Sequence, residues 1–437
     1  MSLWKVWPPS VICETMNQNP AELKSWVKYA PESDFPIQNL PYGIFDDGKG
    51  GPRAGVAIGD FVLDLALICE KNLFEGTGLE GNPFREHRLN AFMEQGRSVW
   101  RAVRNRITEL LSEHSSQIRD DHALRDRALV PIENVALRKP VYIPSFVDFY
   151  SSEQHATNVG KMFRPDNPLM PNWKHLPVGY NGRASSIVPS GISVQRPMGQ
   201  TMPEGAETPI FGPSKRLDYE LEMGFFTGKR NPMGACISTT EVEDFLFGMV
   251  IVNDWSARDI QKWEYQPLGP FLAKSFATSI SPWIVTFDAL EPFRTMGPKQ
   301  QPPVLPYLQC EKPWAFDIKL EVSIRTSKMD AYQKLCSGNF KTMYWNVAQQ
   351  LAHQAVNGTN VQVGDLYASG TISGDSPDSL GCLLELTQGG RSPIQLTSGE
   401  TRTFLEDGDS LLMKAWCEGD GFRIGFGELE GTVQPAQ

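Results

Sequence analysis

The sequence predicts a mainly β protein of the α+β class, with a small N-terminal β-barrel domain followed by a larger β-rich domain. Three observations carry that reading. Between Phe35 and Leu67, short apolar stretches (Pro41 to Phe45, Ala54 to Gly59) flank the Gly-rich turn Asp46-Asp47-Gly48-Lys49-Gly50-Gly51, the texture of a small barrel. Further on, Phe316, Ile318, Leu320, Val322 and Ile324 alternate with other residues, the period-two pattern of a strand with one face in a core. Strands are also predicted to close the chain, at Leu383 to Leu386, Ser410 to Cys417 and Phe422 to Leu429.

In chain order, residues 1 to about 35 are a mixed lead-in containing Trp and Pro. After the barrel strands, Phe84, Leu89, Phe92, Val99, Val103, Ile107, Leu110 and Leu111 recur at helical spacing and predict one or two amphipathic helices. Charges of both signs fill Arg119 to Arg127, and Val130-Pro131 reads as the opening of a linker. The texture changes near residue 138, which divides the chain into domains at 1–137 and 138–437. Val141 to Val147 reads as a buried strand or extended segment. Residues 164–213 are rich in Pro and Gly with little periodicity, and loops that long in a compact domain usually serve function. Helical spacing returns from Trp345 to Val356 and stops at Asn357-Gly358.

Composition excludes several classes. A formal net charge of -10 and the absence of a Lys/Arg cluster interleaved with aromatics argue against nucleic acid or an anionic membrane as partner. The seven cysteines are scattered without a C-x-x-C pair, which argues against a zinc cluster and fits reduced thiols. Met1 to Pro9 lacks the apolar core of a signal peptide, and the longest apolar run, Phe245 to Val252, is too short to span a bilayer. The chain reads as cytoplasmic. Gly76 to Gly81 matches G-x-G-x-x-G, but no clear strand precedes it and Pro83 follows at once. No G-x-S-x-G serine elbow occurs.

Four carboxylates stand out. Asp148 ends an apolar approach and is followed seven residues later by His155, on a stretch able to turn helical. If it does, an acid and an imidazole address one cleft, an arrangement suited to metal-assisted proton chemistry. Read alone, the pair also fits a loop Asp beside a half-buried His. In Leu217-Asp218-Tyr219-Glu220-Leu221-Glu222-Met223, a strand places Glu220 and Glu222 on one face, about 7 Å apart. Leu221 and Met223 take the other face. Like charges side by side repel unless a cation neutralises them. Asp254 ends a third apolar strand, and Ser256 with Asp259 forms a capping-box pattern that predicts a helix start. Along that helix Arg258, Gln261 and Tyr265 share one stripe of donors suited to an anionic ligand. Asp148, Glu220, Glu222 and Asp254 form an all-oxygen set, which points to Mg²⁺ or Ca²⁺. Lys274 is a candidate counter-charge.

The segments DFYSSEQHATNVGKMFRP, DYELEMGFF, NDWSARDIQKWEYQPLGPF, YASGTISG and GDGFRIGFG together resemble the fumarylacetoacetase family. The likeness runs from about Asp34 to the C-terminus, with departures at Ala273 and Ala277, where the family carries glycine. The resemblance implies an SH3-like N-terminal barrel, a C-terminal β-sandwich roll holding the site, and a homodimer. It also implies hydrolysis of a carbon–carbon bond in the diketo-dicarboxylate 4-fumarylacetoacetate, the last step of tyrosine and phenylalanine catabolism, with Ca²⁺ and/or Mg²⁺. His155 then takes a proton from water with Glu385 as its partner. Arg258, Gln261 and Lys274 stabilise the oxyanion, and Lys274 with Thr278 marks a possible second cation position. Tyr150, Arg164, Tyr180, Gln261, Tyr265 and Thr371 hold the substrate. Two other readings remain on the same residues: a sister 2-oxo acid hydrolase or decarboxylase, which does not need the His155–Glu385 pair, and a non-catalytic Ca²⁺ or ligand-binding protein.

Overall fold

The computed structural model describes residues 19–437; the expectation made for Met1 to Pro9 lies outside them. Three sheets organise the chain. The first is antiparallel and five-stranded, in the order Leu129–Pro131, Phe61–Asp64, Arg53–Ile58, Tyr42–Asp46, Ala136–Arg138. Its outer strands correct the linker reading. Val130 and Pro131 pair with Val62 and Phe61, and Arg138 pairs with Ile44. A Pro is tolerated there because an edge strand needs no donor on its outer side. The helix Arg97–Leu111 turns Val103, Ile107, Leu110 and Leu111 inward, as their spacing predicts, while Trp100 takes the buried position beside Val99, which is only partly buried.

The second sheet has eight strands and carries the site. Its order is Gly179–Asn181, Phe146–Phe149, Leu366–Ala368, Leu221–Thr227, Leu246–Asp254, Thr278–Ile280, Ile187–Pro189, with Val285–Thr286 also paired to Leu246–Asp254. Every residue of Leu221–Thr227 and Leu246–Asp254 is buried, because both faces are covered. Met223, Phe225, Met249 and Ile251 face one core, and Phe226, Phe247, Val250 and Val252 face another shared with the N-terminal sheet and its helices. The third sheet, in the order Gln333–Asn339, Lys319–Arg325, Ser410–Glu418, Arg423–Gln434, Val194–Gln195, closes the first of these cores. Phe316, Ile318, Leu320, Val322 and Ile324 are all fully buried in it.

Some predicted elements shift. Of Val141 to Val147, only Phe146 and Val147 are strand; the preceding residues loop, and Tyr142 is 65% exposed. The helix expected over Trp345 to Val356 spans Val347–Ala355, because Asn346 and Gln349 form a reciprocal capping box that sets its start. Leu383 to Leu386 is a short helix rather than a strand. Four residues are too few for period to separate the two, and the first three, Glu385 included, are all buried.

Candidate active site

The site lies where three strands of the eight-stranded sheet end. Asp148 is buried near the end of Phe146–Phe149, pairing with Ala368 and Tyr180. Asp254 is the last residue of Leu246–Asp254. Glu222 lies in Leu221–Thr227 and Glu220 just before it, with Leu221 and Met223 packed in the apolar core as their alternation requires. The four carboxylates offer ligand atoms all within 4.8 Å of one another.

Cations and donors surround this cluster. The Lys274 ammonium contacts Glu220 and lies 2.8 Å from Asp254 Oδ2. Arg258 Nη1 lies 2.6 Å from Glu220 Oε1. The Tyr180 hydroxyl donates to Asp254 Oδ2 at 2.7 Å, and Thr278 Oγ1 donates to Asp254 Oδ1 at 3.3 Å. The Gly370 N–H donates to Glu222 Oε2 at 3.1 Å. Only glycine fits there: φ is +78°, and a Cβ would come within 2.2 Å of the Phe149 carbonyl oxygen.

The balance of charge is uneven. Burial offset by Lys274 and Arg258 holds the Glu220 carboxyl at about 2. Burial, and then the charge of Asp254, push Asp148 well above the usual carboxylate range; burial, Asp148 and Glu220 do the same to Glu222. Asp148 Oδ1 and Glu222 Oε1 are buried without a hydrogen-bond partner. Orphaned oxygens in an all-oxygen set with excess negative charge fit a hard divalent cation, with Asp148, Glu220, Glu222 and Asp254 holding it.

Beside the cluster stands a second buried pair. Ser152 caps the helix Glu153–Phe163 by accepting the His155 N–H at 3.2 Å, which fixes His155 in its first turn. His155 Nδ1 lies 2.5 Å from Glu385 Oε2. Because an ionised carboxylate only accepts, Nδ1 carries the proton and Nε2 keeps its lone pair free to accept one. Glu385 also accepts from Asn158 Nδ2 at 2.9 Å, Ser373 Oγ at 2.8 Å and Cys382 Sγ at 3.3 Å. Burial raises its pKa, but its His155 partner and the hydrogen bonds from Asn158 and Ser373 outweigh that and hold the carboxyl at about 2.

The helix Arg258–Glu264 starts differently from its sequence pattern. Ala257 occupies the cap position without a side-chain bond; Ser256 Oγ donates back to the Asp254 carbonyl, and Asp259 accepts from Ser214 and Lys215. A short strand at Ser256–Ala257 displaces the capping box. Arg258 Nη1 donates to Gln261 Oε1 at 3.3 Å, and Arg258 Nη2 is buried without a partner. Tyr265 is half-buried at the helix end, its hydroxyl accepting from Gln266. Tyr150 stacks edge-on against His155 with ring centroids 5.2 Å apart. Thr371 Oγ1 is buried and unpartnered. Arg164 is exposed and donates to the Pro168 carbonyl at 3.2 Å. Sequence reasoning missed Asp218, Asn158, Ser373 and Gly370. Of these, Asp218 was within reach, since it precedes Glu220 and Glu222 at the same two-residue interval.

A mixed sheet whose strand ends gather four carboxylates, next to a buried imidazole–carboxylate pair, is an arrangement able to hold a divalent cation and to accept a proton from water, the equipment of a metal-assisted hydrolase. Comparison with known proteins specifies which kind. Residues 38–140 match the family model described as fumarylacetoacetase N-terminal, and residues 145–434 match fumarylacetoacetate (FAA) hydrolase C-terminal. The chain belongs to the fumarylacetoacetate hydrolase family. It is 52% identical to fumarylacetoacetase of Bos taurus over 416 residues, covering 94% of this chain and 99% of that protein. It is 49% identical to fumarylacetoacetase of Arabidopsis thaliana over 419 residues, covering 95% and 99%. A solved fumarylacetoacetate hydrolase from Exiguobacterium antarcticum, 18% identical, shares the fold with a TM-score of 0.51 over 91% of this chain and all of that one.

Proposed function

We propose that the chain hydrolyses the carbon–carbon bond of 4-fumarylacetoacetate to fumarate and acetoacetate, the last step of tyrosine and phenylalanine catabolism. The observation that carries this reading is the buried His155–Glu385 pair, 2.5 Å apart, beside the four-carboxylate cluster. A decarboxylase or an idle Ca²⁺ site has no use for a base held in one tautomer.

A Ca²⁺ or Mg²⁺ ion held by Asp148, Glu220, Glu222 and Asp254 supplies Lewis acidity toward the diketone oxygens when bound. The remaining work falls to side chains. His155 Nε2 takes a proton from water, and the hydroxyl oxygen bonds to the carbonyl carbon of the fumaroyl group. Glu385 stabilises the imidazolium that forms. Arg258, through its unpartnered Nη2, with Gln261 and Lys274, stabilises the oxyanion. As the carbonyl re-forms, the carbon–carbon bond breaks. Its electron pair passes to the acetoacetate carbon as an enolate, which takes the proton that His155 removed from water, forming the methyl group and restoring the base. Tyr150, Arg164, Tyr180, Tyr265 and Thr371 hold the carboxylates and carbonyls of the substrate. Lys274 and Thr278, both turned to Asp254, mark the possible second cation position.

We read 1–137 as an SH3-like domain and 138–437 as the catalytic β-roll, in a cytoplasmic homodimer. Trp263, Leu268, Phe271 and Leu272 form an exposed apolar face. They adjoin the hairpin Met198–Thr201 and Ile210–Pro213, which exposes Met198, Ile210 and Phe211. Such a face suits a second copy. Among the described residues no helix is long and apolar enough to cross a membrane. Turnover of the diketo acid by the Ca²⁺- or Mg²⁺-loaded protein, followed by loss of diketone absorbance, tests the reading. An enzyme that binds the ion and leaves this substrate intact rules it out.

A further inference from the structure

Asp218 belongs neither to the carboxylate cluster nor to the His155–Glu385 pair, yet it touches both halves of the site through their supports. It is fully buried and ends the strand Leu217–Asp218, which pairs with Ser256–Ala257 immediately before Arg258. Its two oxygens take four donors. Oδ1 accepts the N–H groups of Leu383 at 2.7 Å and Tyr219 at 2.9 Å. Oδ2 accepts the Leu384 N–H at 2.9 Å and Arg258 Nε at 2.8 Å. Leu383 and Leu384 open the helix Leu383–Leu386 that carries Glu385, and Cys382 at its cap makes no side-chain capping bond. The cap is supplied from a distant strand.

We propose that Asp218 is a positioning residue that locks Arg258 and the helix of Glu385 into one rigid unit, fixing the oxyanion donor relative to the water-activating base. The inference rests on the reading of the site given above. Apart from the adjacent Tyr219 N–H, each Asp218 bond goes to Arg258 or to the Glu385 helix. A buried carboxylate with four donors is stiff, because losing any one strands a charged or polar group out of water. Placement errors near 1 Å cost about 10²-fold in rate, so a shared anchor for base and oxyanion donor bears directly on turnover.

The test is Asp218→Asn in the ion-loaded enzyme, assayed well below its melting temperature. The amide keeps the size but presents an NH₂ group where two of the donors arrive. The expected result is kcat lowered about 10- to 100-fold with bound-ion content unchanged. In the Glu385→Gln background the same change should cost clearly less than it does alone, because part of its effect passes through Glu385. Wild-type kcat with only a lowered melting temperature, or losses that multiply fully, overturns the proposal. Should Asp218→Asn not fold, Arg258→Ala gives an independent reading. Without the Arg258 Nε bond the Asp218 carboxylate is no longer fixed from the Arg258 side, the helix Leu383–Leu386 loses its tie to that element, and hydrogen exchange over residues 382–388 rises; an unchanged exchange rate there overturns the coupling. A wild-type protein inactive on the diketone rules out the proposed function without touching the exchange result.

Discussion

His155 Nδ1 and Glu385 Oε2 lie 2.5 Å apart, with their side chains 3% and 0% exposed. The contact joins the first turn of one helix to the short helix Leu383–Leu386. Three further donors, from Asn158, Ser373 and Cys382, reach the same carboxylate. Glu385→Gln therefore removes a charge that its surroundings already solvate, and places an amide donor among donors. Turnover should fall by at least about 10²-fold with the bound ion retained. Since Glu385 is held at about 2, below its ordinary 4.5, its charge stabilises the fold above the ordinary value. That contribution is lost as pH falls through about 2. The melting-temperature gap between wild type and variant should be constant at neutral pH and close in acid. Near wild-type turnover in the variant would leave His155 working without its partner.

Replacing His155 removes the base and leaves the carboxylate cluster intact. His155→Ala should bind the ion normally and lose about 10²- to 10⁴-fold in kcat, the range general-base catalysis supplies. Calorimetric titration with Ca²⁺ beside a turnover assay separates the two effects. Normal turnover in a fully loaded variant removes His155 from the mechanism.

Asp254 gathers Tyr180, Lys274 and Thr278 onto its two oxygens, while Glu222 keeps one oxygen unpartnered. Their replacement should differ in stability but not in metal content. Glu222→Ala and Asp254→Ala both lose the ion; Asp254→Ala also leaves the Tyr180 hydroxyl without its partner and Lys274 with Glu220 alone, and should melt at the lower temperature. Elemental analysis showing full occupancy in either variant removes that residue from the ion's ligands.

Leu268 is 96% exposed and Phe271 69%, on the apolar face proposed above as the contact with a second copy. Leu268→Asp combined with Phe271→Asp should shift the protein from dimer to monomer in sedimentation velocity, since two charges would be buried unpaired. A wild-type protein that sediments as a monomer discards this interface.

The clustering of the carboxylates was legible because strand alternation is strict: Glu220 and Glu222 must share a face, and Leu221 with Met223 must take the core. Asp148 and Asp254 were legible as acids terminating apolar runs. Elements too short to show a period were not. Leu383 to Leu386 carries no period that separates helix from strand, and its cap comes from Asp218, 165 residues away. The Ser256–Asp259 pattern was locally correct but lost to a tertiary pairing, because Asp259 satisfies Ser214 and Lys215 instead. Val130-Pro131 looked like a linker because its pairing with Phe61–Asp64 spans a long stretch of chain. Long-range partners are what local patterns omit.

The last prediction concerns acid and the empty or filled cluster. Burial and neighbouring carboxylates raise Asp148 and Glu222 well above their ordinary values of 3.8 and 4.5. A carboxyl raised in the folded state contributes stability that is fully present below its unfolded value and is lost as pH rises through its folded value. The chelated enzyme should therefore melt at progressively lower temperature as pH rises from about 5 to about 8. Glu220 and Glu385, both held at about 2, have the opposite sign, but their contributions change only in acid and stay constant across that window. Ion binding requires Asp148 and Glu222 to release their protons, so the bound cation takes over the neutralisation that protons supply in its absence. The Ca²⁺-loaded enzyme should accordingly keep its melting temperature over the same range, and the gap between loaded and chelated protein should widen with pH. Asp148→Asn, which cannot ionise at that position, should flatten the slope of the chelated form. Thermal melts with and without chelator at several pH values decide it: a gap that stays constant from about pH 5 to about pH 8 means that protons and the ion do not compete for these two carboxylates.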